Sequence, residues 1–253
     1  MTDPHQDAWR PSAAYLYMLH LDGPALAWEY LRRNPDYRRD WLRRRRRREA
    51  AQRWGLLGLE NPGLDARDAH PAWCPAPAGV VQLHPDIVPT VGAVPFDLWH
   101  VAGHKHLFHD RQHLALTIWQ PRCWQRIAVA PTLEQGMPCV HAVHAGDPGH
   151  PPLADDAAPW GHSRARPSRA GLIEAHTVQV LDATLAGATL REVAEALHGP
   201  ALVATDWHAD SALRARIRRL AQRGVGLMRG GYRRLLRLVP SEQGRSHATA
   251  KRP

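Results

Sequence analysis

The sequence predicts an α+β protein. It has a helical N-terminal region, a small antiparallel β region in the middle, and a three-helix, helix-turn-helix-like domain towards the C-terminal end. Three observations lead there. Residues 189–199 (TLREVAEALHG) combine apolar positions at helical spacing with start and stop signals. Short β-branched and aromatic runs, bounded by Pro, Gly and Asp, fall between Val80 and Val143. Residues 146–168 (GDPGHPPLADDAAPWGHSRARPS) are rich in turn-forming residues and read as a linker. The resulting division is 1–66, 67–145, 146–168 and 169–240, followed by a polar tail, 241–253, expected to be disordered.

The N-terminal region reads as helices. Ala14 to Leu21 is apolar and aromatic and is closed by Asp22-Gly23-Pro24. Pro24 suits the first turn of the next helix, which carries Leu26, Trp28 and Leu31. Asn34-Pro35 reads as a cap and first helical position for a helix through Tyr37, Trp41 and Leu42. That helix is expected to continue through Arg43–Arg48 and to end at Trp54-Gly55. Six consecutive arginines would wrap around a helix, so they cannot all face one partner. Trp9, Trp28, Trp41 and Trp54 could stack on bases, but large aromatics in a small helical region are better read as core anchors.

In the middle, residues 80–83, 114–119 and 126–129 read as strands. His100, His104, His106, His109 and His113 crowd between the first two, and His141 and His144 follow near Cys139. Imidazole is a common metal ligand. No paired-cysteine or HExxH spacing accompanies these rings, and Gly103 and Asp110 suggest turns that scatter them, so no metal site is expected.

A helix of about Leu172 to Leu185 begins the C-terminal domain. Thr189 and Glu192 form a capping box, and Leu190, Val193, Ala194 and Leu197 make one apolar face. Gly199 fits the C-terminal cap, and Pro200 prevents continuation. A long helix then starts at Asp210 or Ser211. Its buried stripe is expected to be Leu213, Ile217, Leu220 and Leu227. Arg214 and Arg218 flank that stripe on one side, while Arg216, Arg219 and Arg223 lie on the other side and the back. Acidic partners one turn away are missing, so the exposed side is cationic. Arginine's rigid fork suits phosphate and guanine.

The net charge of +9 is unevenly spread. Residues 1–54 carry a net +5, residues 55–163 a net −5, and residues 164–253 a net +9. Thirty-one of the 33 basic residues are arginine, a bias that a GC-rich genome would produce, so the distribution is more informative than the residue type. Catalysis has little support. There is no nucleophile elbow, phosphate loop or dinucleotide fingerprint, Asp155-Asp156 sits in the linker, and Cys123 has no evident activating partner. No enzyme activity and no cofactor are expected. No apolar run reaches the roughly 18 residues of a membrane span. The first residues lack the basic and apolar segments of a signal peptide. Cys74, Cys123 and Cys139 are scattered and odd in number, which fits free thiols in a cytoplasmic protein.

The string REVAEALHGP…DWHADSALRARIRRLAQRGVGLMRGGYRRLL resembles the C-terminal, DNA-binding, transcription-factor-like domain of an uncharacterised proteobacterial two-domain regulator family. The N-terminal AWRPSAAYLYMLHLDGPALAWEYLRRNPDYRRDW resembles that family's transcriptional-regulator-like domain. Such proteins are often encoded on integrative and conjugative elements; some activate excision and transfer genes, and single-domain relatives act as anti-activators. The resemblance implies a regulator binding double-stranded DNA through Ser211, Arg214, Arg216, Arg218, Arg219 and Arg223, with Tyr232, Arg233 and Arg234 after the turn. Arg214 and Arg218 are the expected base readers, and Arg219, Arg223, Arg233 and Arg234 the expected phosphate contacts. The chain departs from the pattern in its longer arginine run and in the gap from Gly199 to Asp210. That gap is about ten residues, against three or four in a simple helix-turn-helix. The alternative is an adaptor or anti-activator that binds another regulatory protein and no DNA.

Overall fold

The computed structural model describes residues 7–44, 48–74, 80–88, 95–99, 104–109, 114–120, 123–143, 162–163 and 168–237. Arg45–Arg47, His100, His113, His144, Asp155, Asp156 and almost all of the expected linker and tail lie outside them. The chain is mixed α and β and divides into two compact units. One draws on both ends of the sequence, residues up to Leu42 and from Ala165, together with Asn61–Arg67. The other holds Arg43–Glu60 and Asp68–Arg164. The segments 1–66 and 169–240, separate in the sequence reading, are therefore largely merged into one body.

The helical unit opens with a 3-10 helix, Ser12–His20, where the sequence suggested an ordinary helix. Helix α1 spans Gly23–Leu31, with Asp22 accepting from the Ala25 amide at 3.0 Å and Pro24 in its first turn. Helix α2, Pro35–Leu42, is capped by Asn34, whose Oδ1 accepts from the amides of Asp36 and Tyr37 at 2.8 and 3.3 Å. It stops at Leu42, short of the expected Trp54, with a turn at Arg43-Arg44 and a separate 3-10 helix at Arg48–Trp54. The arginine run therefore does not ride on one continuous helix.

Helix α3, Arg169–Leu185, starts on a Ser168 cap. Helix α4, Leu190–His198, has the expected capping box, with Glu192 accepting from the Thr189 amide at 2.7 Å. The gap after Gly199 contains a further short helix, α5, Pro200–Asp206. Pro200 ends α4 and also opens α5, the position where its missing amide costs nothing. Helix α6, Ala212–Met228, is followed by a 3-10 helix, Gly231–Arg237.

One core cluster joins Val180 and Ala183 of α3, Val193 and Ala194 of α4, Val203 of α5, and Ile217 and Leu220 of α6. Trp9, from the far end of the chain, is buried in the same cluster. Gln179 fixes that docking, donating from Nε2 to the carbonyls of Trp9 and Arg10, both at 3.1 Å. Trp28 is buried too, edge-on to Tyr37 at 5.6 Å, with Nε1 donating to the Leu64 carbonyl. Trp9, Trp28 and Trp54 are core residues, as their size demands; Trp41 is half-buried.

The second unit is a sheet of order β2-β3-β4-β1-β5, with β6 pairing the start of β4. The strands are β1 Val81–Pro85, β2 His104–His109, β3 Leu114–Gln120, β4 Cys123–Val129, β5 Cys139–Val143 and β6 His162–Ser163. One pair, β1 with β4, is parallel in an otherwise antiparallel sheet. Leu83, Phe96, Leu116, Ile118, Ile127, Val129 and Leu133 form its core. Leu116 opposes Ile127 and Leu114 opposes Val129, so alternate residues of β3 and β4 share the buried face. Strand β2 was not foreseen in the sequence reading, whose turn signals, Gly103 and Asp110, lie outside the described residues. A strand puts His104 and His106 on one face and His109 on the other.

Candidate nucleic-acid interface

Helix α6 is built to bury one stripe and present the rest. Ser211 caps it, its Oγ accepting from the Arg214 amide at 3.1 Å. Ile217, Leu220, Gly224 and Met228 are buried, with Leu213 and Ala221 packed beside them. Leu227, expected in the stripe, lies at its half-buried edge. Gly224 sets the crossing with α3: a Cβ there would stand 3.1 Å from Leu181 Cβ and 3.2 Å from the Thr177 carbonyl. The two helices therefore approach at backbone distance.

Arg214, Arg216, Arg218 and Arg219 are exposed on the remaining arc. Among the described residues none of the four has a carboxylate ion pair. Helical geometry puts Arg214 and Arg218 on one flank of the buried stripe, and Arg216, Arg219 and Arg223 on the other. The second flank faces α3. There Arg223 is ion-paired with Glu174. Arg216 instead faces His176 of α3 and His198 of α4. Burial pushes both imidazoles below their ordinary range, and the Arg216 charge pushes them the same way.

The structure separates the other expected contact residues. Ser211 is buried and committed to the cap, and Tyr232 is wholly buried. Both side chains are thus directed into the helical unit, whereas the sequence reading expects them at the DNA surface. The cause is local. Gly231 lets the chain fold back onto α6, since a Cβ there would lie 2.9 Å from the Gly226 carbonyl, and the following segment packs against α1. Arg233 is exposed, with its guanidinium carbon 5.1 Å from the centre of the Tyr232 ring, and Arg234 is exposed beside it. Arg223 is about half exposed, yet its guanidinium is spoken for by Glu174.

The N-terminal segment makes contacts that the sequence reading did not foresee. Tyr30 donates to Glu174 Oε2 at 2.5 Å. Burial, reinforced by that carboxylate, holds the Tyr30 phenol far above its ordinary range. Asn34 Nδ2 donates to the Met228 carbonyl at 3.0 Å, satisfying one of the open carbonyls at the end of α6. These partners lie 144 and 194 residues apart in sequence, so no local spacing could have revealed them.

Residues 153–237 match the family model described as a T6SS transcription factor DNA-binding domain. The chain carries a transcription-factor DNA-binding domain. Residues 8–57 match a proteobacterial transcriptional regulator-like domain, and residues 78–125 match a domain of unknown function (DUF7011). The DNA-binding and regulator-like matches fall largely on the two ends that fold together as the helical unit, and the third falls on the sheet. No curated protein shows significant similarity to the chain. Among the described residues, no helix is long and apolar enough to cross a membrane, and no three His, Cys, Asp or Glu side chains converge as a metal site would need.

Proposed function

We propose that the protein is a transcriptional regulator that docks the exposed arginine face of α6 on duplex DNA and acts by binding, without catalysis. One observation carries the reading: four exposed arginines, none ion-paired among the described residues, share the unburied arc of one helix within the DNA-binding match. Helix α6 is 17 residues long, enough to lie along a major groove. Arg214 and Arg218, on the flank away from α3, read base edges. Arg216, Arg219, Arg233 and Arg234 position the protein on phosphates. Resemblance to excision and transfer activators supports genes of a mobile genetic element as the target; the wording of the family match makes T6SS genes the second target to assay.

The test is a salt-titrated binding assay of the full chain. It compares duplex from upstream of its own gene and of neighbouring mobility or secretion genes with random duplex. Four phosphate contacts give a log–log salt slope of roughly −3 to −4. Arg214→Ala relaxes specificity at one position and costs about 1–3 kcal/mol. Absence of binding to any duplex at low salt, with a stable equimolar complex with another regulator, would replace this reading by the adaptor one.

A further inference from the structure

Arg223 differs from its neighbours on α6 in having an internal anion. Glu174, on α3, is largely buried, with its side chain 11 % exposed against 46 % for Arg223. Its two oxygens are divided between two partners: Oε2 accepts from the Tyr30 hydroxyl of α1, and Oε1 accepts from Arg223. A carboxylate this buried needs both, because an ionised oxygen left without a donor in a poorly solvated place is costly. Tyr30 is wholly buried and anchors Glu174 from below. Arg223, one and two turns along from Arg219 and Arg216, occupies the same flank of α6. A guanidinium released from Glu174 would reach the surface those two arginines present.

Resting on the proposed docking of α6, we propose that Glu174, positioned by Tyr30, is an internal phosphate surrogate that keeps Arg223 off the DNA backbone and so sets the affinity of the arginine face. The carboxylate presents Arg223 with one anionic oxygen, Oε1, of the singly charged kind that a phosphodiester would offer. DNA must then either leave Arg223 in place or strip Glu174 of a partner. The protein takes the first course, and the interface engages one phosphate fewer than its arginines would allow. The device also joins the two family-matched segments: Tyr30 belongs to the regulator-like match, and Glu174 and Arg223 to the DNA-binding match.

The experiment measures the salt dependence of duplex binding for the full-length wild type, Arg223→Gln, Glu174→Gln and the double variant, each checked for an unaltered circular dichroism spectrum. Arg223→Gln leaves the wild-type slope unchanged. Glu174→Gln, which keeps an acceptor for Tyr30 but removes the charge, tightens binding at low salt and steepens the slope by about 0.9, the signature of one added phosphate contact. Adding Arg223→Gln to it restores the wild-type slope. A merely structural role for Glu174 would weaken binding without steepening the slope. A slope made shallower by Arg223→Gln alone overturns the proposal, as does an unchanged slope in Glu174→Gln. If Glu174→Gln does not fold, the Arg223→Gln comparison decides alone. A wild type that binds no duplex removes the proposed function itself, an outcome distinct from either of these.

Discussion

At the scale of single residues, Arg33 shows what the helical unit spends on specificity. It is buried, and its guanidinium donates to Asp182 Oδ1 and Oδ2 at 2.6 and 2.9 Å and to the carbonyl and carboxylate of Glu29 at 2.6 and 2.5 Å. Burial opposes its charge, but Asp182 and Glu29 more than offset it and raise its pKa well above the ordinary value. Burial likewise opposes the charge of Glu29, yet Arg33 and Arg32 hold its carboxyl below the usual range. Asp182 also accepts from the Tyr15 hydroxyl at 2.9 Å, so it ties two points of the N-terminal segment to α3. Asp182→Asn strands half of a buried fork and is expected to cost about 2–3 kcal/mol in urea unfolding. A loss under about 0.5 kcal/mol would show that this network is not a principal tie. The Asp182 half of this network was not legible in the sequence, because Arg33 and Asp182 are 149 residues apart.

At the scale of elements, legibility tracked local chemistry. The α4 box, the Asn34 and Ser211 caps and the apolar stripe of α6 could be read because their donors, acceptors and contacts recur within one turn. Strand β2 could not, since HKHLFH lacks the β-branched residues that mark strands, and its pairing with β3 supplies what its own propensity does not. Helix α5 was hidden because Pro200 reads equally as a stop. The seam of α3, α4 and α6 yields a pH prediction. The charged group facing His176 and His198 is Arg216, with His198 also acting on His176. The nearby carboxylates are engaged elsewhere, Glu195 by Arg191 and Glu174 by Arg223. In the folded protein both imidazoles titrate below their ordinary value of about 6.5. As pH falls through 6.5 the unfolded chain takes up protons first, so stability is lost on acidification. A phosphate beside Arg216 offsets the part of that shift which Arg216 causes. DNA affinity should therefore rise between pH 7.5 and 6.0 at fixed salt, an effect removed by His176→Gln/His198→Gln. A flat profile in the wild type would place the phosphate away from this seam.

At the scale of the molecule, composition and charge distribution indicated two basic ends around an acidic middle, but not that the two ends are one body. Trp9 is the clearest case. The sequence marked it as a core anchor, yet the core it anchors is that of α3 to α6. Trp9→Ala should cost about 3–5 kcal/mol and speed amide exchange in α3 and α6. Unchanged exchange there would mean that the DNA-binding helices hold together without the N-terminal segment.

That closure by Trp9 has a consequence for synthesis. The N-terminal segment leaves the ribosome before the helices it packs on, with Trp9, Tyr15 and Arg33 awaiting partners at Gln179 and Asp182, and the sheet unit is made in between. Contacts this distant form late. The arginine helix is thus assembled on its support only after the sheet unit has been made, and a copy terminated within the sheet has neither α6 nor a finished surface to hold it. Synthesis through the sheet becomes a condition for presenting the arginine face, imposed by topology alone.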